Sequence, residues 1–101
     1  MPFEPIFHIT TREQWDHARL AGRYQAESLV TEGFIHCSTA AQLERTGRRY
    51  YAGQSGLVVL EIDPGRLRWE LRWEESRGES FPHLYGPLDL DAVISAQTFS
   101  V

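Results

Sequence analysis

A chain of 101 residues, 42% apolar and 24% charged, is long enough for one domain with a real core and has the make-up of an ordinary globular protein. Its net charge of −4 argues against bulk nucleic-acid binding through phosphates, and all ten basic residues are arginine, which removes Schiff-base lysine chemistry and any phosphate loop ending in Gly-Lys. One cysteine rules out an internal disulfide, no apolar run approaches a membrane span, and the opening Met-Pro-Phe-Glu-Pro lacks the basic and apolar regions of a signal peptide, so a cytoplasmic, non-membrane protein is expected.

Residues 4–9 read as a strand, with Ile6 and His8 on one face and Phe7 and Ile9 on the other. Thr10 followed three positions later by Glu13 has capping-box spacing and predicts a helix over 11–21, with Trp15 and Ala18 inward, His17 on the surface and Gly22 as its stop. Residues 23–32 form a connector with a single turn near Glu27 to Val30. Gly33-Phe34-Ile35-His36-Cys37-Ser38 is the central stretch: a short strand over 34–37 that puts Phe34, His36 and Ser38 on one face and Ile35 and Cys37 on the other. Thr39 to Gln42 again has capping-box spacing. It predicts a second helix running to about Tyr51, with Leu43, Gly47 and Tyr50 inward and Arg45, Arg48 and Arg49 outward.

Gly53-Gln54-Ser55-Gly56 is a turn, and Leu57 to Asp63 is a strand with a buried centre. After the turn at Pro64-Gly65, residues 67–74 alternate without a break. Leu67, Trp69, Leu71 and Trp73 share one face, expected in the core or a cleft wall, while Arg68, Glu70 and Arg72 are expected in solvent. This strand is predicted to form an antiparallel hairpin with the one before it. Residues 75–80 read as a polar loop, Phe81 to Pro87 as a short, rigid, extended segment, and residues 92–101 as a closing strand. The sum is an α+β fold in a single domain over 1–101: two main helices on a mostly antiparallel sheet of roughly five to six strands.

Three histidines, His8, His36 and His83, each sit in an apolar strand-like setting. If the strands carrying His8 and His36 are neighbours, the two rings form a cross-strand or diagonal pair about 5–8 Å apart at Cβ. With the rigid Phe81-Pro82-His83-Leu84-Tyr85-Gly86 segment as a far wall, the three stretches are expected to make one pocket in which His83 and Tyr85 have fixed directions. The alternative for each histidine is a core role with both ring nitrogens satisfied. Cys37 alternates away from His36, so a Cys–His nucleophile pair is not expected. Ser38 either hydrogen-bonds a ligand or caps the helix. No metal is expected, because the histidines, Glu79 and the cysteine lack the local spacing of metal sites. Glu74 and Glu75 are adjacent on a strand and diverge, unlike a paired-carboxylate hydrolase.

His8 in a first strand, a tryptophan in the following helix, Gly33-Phe34-Ile35-His36-Cys37-Ser38, Trp73-Glu74 and Phe81-Pro82-His83-Leu84-Tyr85-Gly86 together resemble the bacterial domain of unknown function 952 family (DUF952), over nearly the whole chain. That family's fold is thought similar to ADP-ribosyltransferases, especially the branch with RNA 2′-phosphotransferases. The resemblance implies a split antiparallel sheet around a cleft for NAD or an ADP-ribose-like group. It gives His8 the contact with ribose and nicotinamide amide, and gives His36 the shaping of the nicotinamide pocket; Phe34, Ser38 and Tyr85 are the further expected ligand contacts, with Tyr85 packing on the nicotinamide. The third, transfer-assisting role is left open among His83, Tyr85, Glu79 and Glu74. Three functions follow: an ADP-ribosyltransferase-like enzyme, a non-catalytic nucleotide or small-molecule binder, and a protein-interaction domain. The oligomeric state is left open.

Overall fold

The computed structural model describes residues 4–101; Met1 to Phe3 of the N-terminal reading lie outside them. In chain order the elements are β1 (Ile6–Thr11), α1 (Arg12–Ala21), β2 (Arg23–Tyr24), α2 (Glu27–Thr31), β3 (Ile35–His36), α3 (Ala40–Tyr51), β4 (Leu57–Ile62), β5 (Leu71–Ser76), β6 (Glu79–Leu84), β7 (Leu88–Asp89) and β8 (Val93–Phe99). Single 3-10 turns occupy Pro64–Arg66 and Leu90–Ala92. The α+β class stands, and every strand pairing is antiparallel, in three sheets ordered β1-β4-β8, β3-β6-β5 and β2-β7.

One proline decides how the first two sheets are joined. In β6, Pro82 faces Cys37, whose N–H donates to the Pro82 carbonyl at 3.0 Å. An antiparallel pair of this kind normally returns a second bond, but proline has no N–H to give. Pairing of β3 with β6 therefore stops after Ile35–Leu84 and His36–His83. The chain turns instead to β1, where Ser38 and Phe7 exchange both backbone bonds at 2.8 Å. On the β5 side Pro82 opposes Trp73 and no ladder bond is needed from it, so β5 pairs with β6 from Leu71–Leu84 to Ser76–Glu79.

The core lies between the helices and the inner faces of these sheets. It contains Ile6, Trp15, Ala18, Tyr24, Ile35, Cys37, Val58, Leu60, Ile62, Leu84 and Leu88. Ile35 is fully buried and His36 beside it is exposed, as strand alternation requires.

Several local expectations change. Thr11, not Thr10, caps α1, its hydroxyl accepting from the Gln14 N–H, because β1 stays paired with β4 as far as Thr11–Leu57. The α3 cap is the Thr39–Gln42 box as read, but the inward residues of α3 are Gln42 and Gly47, and Tyr50 is exposed. Gln42 is drawn in because its amide also donates to the Ser80 carbonyl at 2.8 Å.

The expected β4–β5 hairpin does not form. β4 lies between β1 and β8, and β5 takes β6 as its partner. The loop expected over 75–80 is itself strand closed by a two-residue turn, Arg77-Gly78, with both φ angles positive (55° and 83°), the type I′ geometry that suits strand twist. The alternating tract is paired only from Leu71 onward. Trp69 and Trp73, expected in the core or a cleft wall, are about half exposed at 51% and 53%. β5 is the edge of its sheet, so Trp73 overhangs rather than inserts.

Trp69 instead lies against Gly86. A Cβ added at Gly86 would overlap the root of the Trp69 side chain, its Cβ and Cγ. Gly86→Ala is therefore expected to cost about 1–3 kcal/mol of stability, the range for overpacking. The loss should largely disappear in a Trp69→Ala background, which urea unfolding of the double-mutant cycle measures. Additive effects would mean that the two residues do not constrain each other.

Candidate functional site

Strand register brings a row of polar groups onto one face of β3-β6-β5. His36 is opposite His83, and His83 is opposite Arg72 on its other side. His36–His83 is a non-hydrogen-bonded pair, the kind that brings side chains closest, and the ring centres are 5.4 Å apart with planes at 75°. Phe34, two residues before His36 on the same face, stacks on His83 at 4.1 Å and 20°. It also meets His36 edge-on at 4.7 Å and Tyr85 at 5.3 Å. Phe34 is placed from behind by α2. The Ser28 hydroxyl donates to the Phe34 carbonyl at 2.8 Å, and Gly33, at φ +91°, reverses the chain after that helix.

Glu74 organises the other end of the face. Its Oε1 accepts from His83 Nδ1 at 2.8 Å and from the Tyr85 hydroxyl at 2.6 Å. The Tyr85 hydrogen bond, then the His83 one, holds the Glu74 carboxyl below the usual carboxylate range, and the same carboxylate pushes the Tyr85 phenol up. The Arg72 guanidinium lies 4.3 Å from the centre of the Tyr85 ring and pairs with Glu70 at 3.0 Å. His36 Nε2 donates to Glu32 Oε2 at 3.0 Å across one turn. His83 is 8% exposed, and its neighbours Phe34, Tyr85 and Glu74 are half-buried.

His8 does not reach this face. It is buried, with Nδ1 2.6 Å from the His36 carbonyl and Nε2 2.8 Å from the Tyr24 hydroxyl. A carbonyl only accepts, so Nδ1 carries the proton. Burial lowers the ring's pKa to about 4, so at neutral pH Nε2 is a bare acceptor and Tyr24 donates to it. The Tyr24 oxygen is also 3.0 Å from Thr10 Oγ1, and the Thr10 hydroxyl donates to Gln14 Oε1 at 2.8 Å. With both ring nitrogens engaged inside the protein, His8 offers nothing to a ribose or an amide. Its expected ligand contact is replaced by support of the His36 backbone.

The remaining candidates separate. The Ser38 hydroxyl is buried and donates to Thr46 at 3.2 Å, so it neither caps α3 nor faces the rings. Burial pushes the Cys37 thiol up to about 12, the opposite of an activated nucleophile. Glu79 is held by Arg45 in a two-pronged pair and by Gln42, below the usual carboxylate range and away from His83. Of the four residues left open for the third role, Glu74, His83 and Tyr85 are together and Glu79 is apart. Arg72, Glu70, Glu32 and Tyr24 were missed. Arg72 and Glu74 share the polar face of the alternating tract; Arg68, Glu70 and Arg72 are exposed as expected, and that face is also the one that lies beside His83.

Among the described residues no three metal-ligating side chains converge. Two concavities, of about 320 Å³ beside Gln14, His17 and Tyr24 and about 260 Å³ beside Leu43 and Phe99, lie away from the ring cluster. The ring cluster carries the convergent polar groups, so chemistry rather than concavity marks it as the candidate site.

Fold and site together define a small α+β protein whose distinguishing feature is a sheet face of histidines, aromatics and a shared carboxylate. The chain belongs to the family described as Protein of unknown function (DUF952), which matches residues 9–96. It is similar to protein CC0527 from Caulobacter crescentus. The X-ray crystal structure of that protein matches with a TM-score of 0.89 at 35% identity, covering 96% of this chain and 87% of that one. Its solution NMR structure matches with a TM-score of 0.82 at 35% identity, covering 96% and 85%. No curated protein matches the chain.

The buried His8 makes stability depend on pH. Its folded pKa of about 4 is below the ordinary 6.5, so the stability of the neutral buried ring is fully present above pH 6.5 and drains away as pH falls toward 4. The whole span is worth about 3 kcal/mol at about 1.4 kcal/mol per unit. Between pH 7 and pH 4.5, urea unfolding should show the parent protein losing about 2–3 kcal/mol more than His8→Gln, which does not titrate. Parallel losses would show that His8 is not a buried neutral base.

Proposed function

We propose that the Phe34–His36–His83–Tyr85 face binds a nucleotide-type ligand, NAD or an ADP-ribose-like group, and that the protein is an ADP-ribosyltransferase-like enzyme of the cytoplasm. The observation that carries this reading is Glu74. It is a carboxylate clamped by His83 and Tyr85 at the edge of a stacked aromatic cluster, where it can stabilise positive charge developing on a ribose. NAD, when bound, supplies a ribose carbon whose bond to nicotinamide breaks with build-up of positive charge.

The donor set fits the ring and ribose end of such a ligand. Phe34 and Tyr85 give flat apolar surface for a base or nicotinamide, and His36 keeps Nδ1 available for a ribose hydroxyl. It fits the pyrophosphate less well. Arg72 is the cation on the face, and Glu70 already pairs with it. His8 acts behind the site by holding the His36 carbonyl, not as a ligand contact. The RNA 2′-phosphotransferase variant of the chemistry, which needs more phosphate-binding charge, is the less favoured form for the same reason.

A second reading, a non-catalytic binder, is favoured by the openness of the face. His36 is half exposed, and nothing described closes over it to exclude water. Calorimetric titration with NAD and ADP-ribose, together with assay of released nicotinamide, separates the readings. The enzyme reading expects binding that Phe34→Ala and His36→Ala weaken by about tenfold or more, and nicotinamide release that Glu74→Gln lowers by about a hundredfold while binding persists. Binding without release supports the binder. No binding of either ligand at millimolar concentration, with no thermal stabilisation, overturns both.

A further inference from the structure

His36 and His83 share an arrangement that a nucleotide site does not need. Each ring commits one nitrogen to a carboxylate: His36 Nε2 to Glu32 at 3.0 Å, and His83 Nδ1 to Glu74 at 2.8 Å. An ionised carboxylate only accepts, so both committed nitrogens carry protons, and in each neutral ring the lone pair is on the other nitrogen. Those are Nδ1 of His36 and Nε2 of His83. Among the described residues neither has a hydrogen-bond partner. His83 is more than nine-tenths buried as a residue, and its Nε2 is the part of the ring that reaches the surface.

We propose that His36 and His83 are the two protein ligands of a divalent transition-metal ion of the zinc type, with water in the remaining positions. A metal-bound histidine almost always donates its second ring N–H to a carboxylate or carbonyl, which fixes the tautomer and raises the basicity of the ligating nitrogen. Glu32 and Glu74 do this for both rings. Two imidazoles on one tetrahedral ion, with bonds of about 2.0 Å, have ring centres about 5 Å apart. The observed separation is 5.4 Å. Phe34 against the face of His83 supplies the apolar shell that limits water on one side, and imidazole nitrogen suits zinc, nickel and copper over magnesium or calcium. Local ligand spacing in the sequence does not reveal such a site, because these two ligands come from different strands. Structural zinc sites have four protein ligands and catalytic ones three. Two ligands therefore give a weak, open site whose free positions can accept a donor atom from a substrate.

The proposal does not rest on nucleotide binding, and the metal alone is the probe. Chelator-treated protein is titrated with zinc chloride by calorimetry and with cobalt chloride by visible absorption. One ion per chain is expected, with a dissociation constant in the micromolar range and cobalt bands in the visible. His36→Ala changes an exposed side chain and leaves the fold intact. It should weaken binding by more than about tenfold, and Glu74→Gln should weaken it by about tenfold by removing the charge that His83 Nδ1–H donates to. His17→Ala, on the far surface of α1, should change nothing. Zinc binding no tighter than millimolar overturns the proposal. So does binding that survives His36→Ala, or binding that is lost in His17→Ala.

Discussion

The missing N–H of Pro82 is the constraint on which the rest of the site depends. Were that residue able to donate, β3 would continue along β6 and Cys37 would be one more rung of the ladder. Because it cannot, the chain is released after His36 and is captured by β1 through the paired Phe7–Ser38 bonds. Two sheets are thereby stitched together by one short strand. The stitch leaves His36 as the last paired residue, with its ring on the open face and its carbonyl turned toward β1. Proline in a middle strand is ordinarily unfavourable. Here its defect falls where the ladder must end, so the cost is small and the chain gains a defined crossing point.

The crossing point would be loose without His8. A carbonyl at the end of a ladder needs a donor. His8 donates to it and hands its other nitrogen to Tyr24, which is fixed in turn beside Thr10 and Gln14. A buried imidazole is tolerable when both nitrogens are paired, and neutral His8, with one donor and one acceptor, meets the His36 carbonyl and the Tyr24 hydroxyl. The same residue type thus has opposite fates in one small protein. Where both nitrogens are bonded within the chain, histidine is a strut. Where one nitrogen is bonded to a carboxylate and the other has no partner within the chain, histidine keeps an atom for contacts outside it.

That distinction explains how much of the fold and the site was legible beforehand. Alternation at Phe34 to Cys37 could be read because Ile35 and Cys37 are true core residues and the period is short. The Thr39–Gln42 box could be read because capping is local. The Trp69–Trp73 tract misled because alternation reports two chemically different faces without saying which one is inward. On the edge strand β5 the tryptophans overhang, while Arg72 and Glu74 lie beside His83. Strand partners were legible only in part: 33–38 does meet 81–86 and the first strand, through Ile35–Leu84, His36–His83 and Phe7–Ser38, but the partner of β5 was not legible. The two-residue turn at Arg77-Gly78 was hidden in a polar run, so β5 was assigned to β4 instead of β6, and the Glu74–His83 contact followed only from the correct register. His8 was placed in the pocket because its face was right, but the sequence does not announce Tyr24 as its partner.

The two halves of the face differ in stiffness, and this bears on how it can work. His83 is pinned by a stacked ring, a carboxylate and its own strand, with almost no exposure. His36 and its partner Glu32 are each about half exposed, at 53% and 50% for the side chains. Any ligand or ion that uses both rings finds one already in place and must order the other, at a cost on the scale of about 1 kcal/mol for a side chain losing its rotamer freedom. Affinity at such a site would depend most on the more exposed half. Glu32 therefore matters more than its exposure implies: the i,i+4 bond to His36 lowers the ordering cost before anything binds. Glu74 works differently. It already holds His83 and Tyr85, so its charge is fixed in position and available to whatever develops positive charge above it. On the proposed reading, one carboxylate would tune how readily the face is occupied, and the other would bear on what chemistry occupation could support.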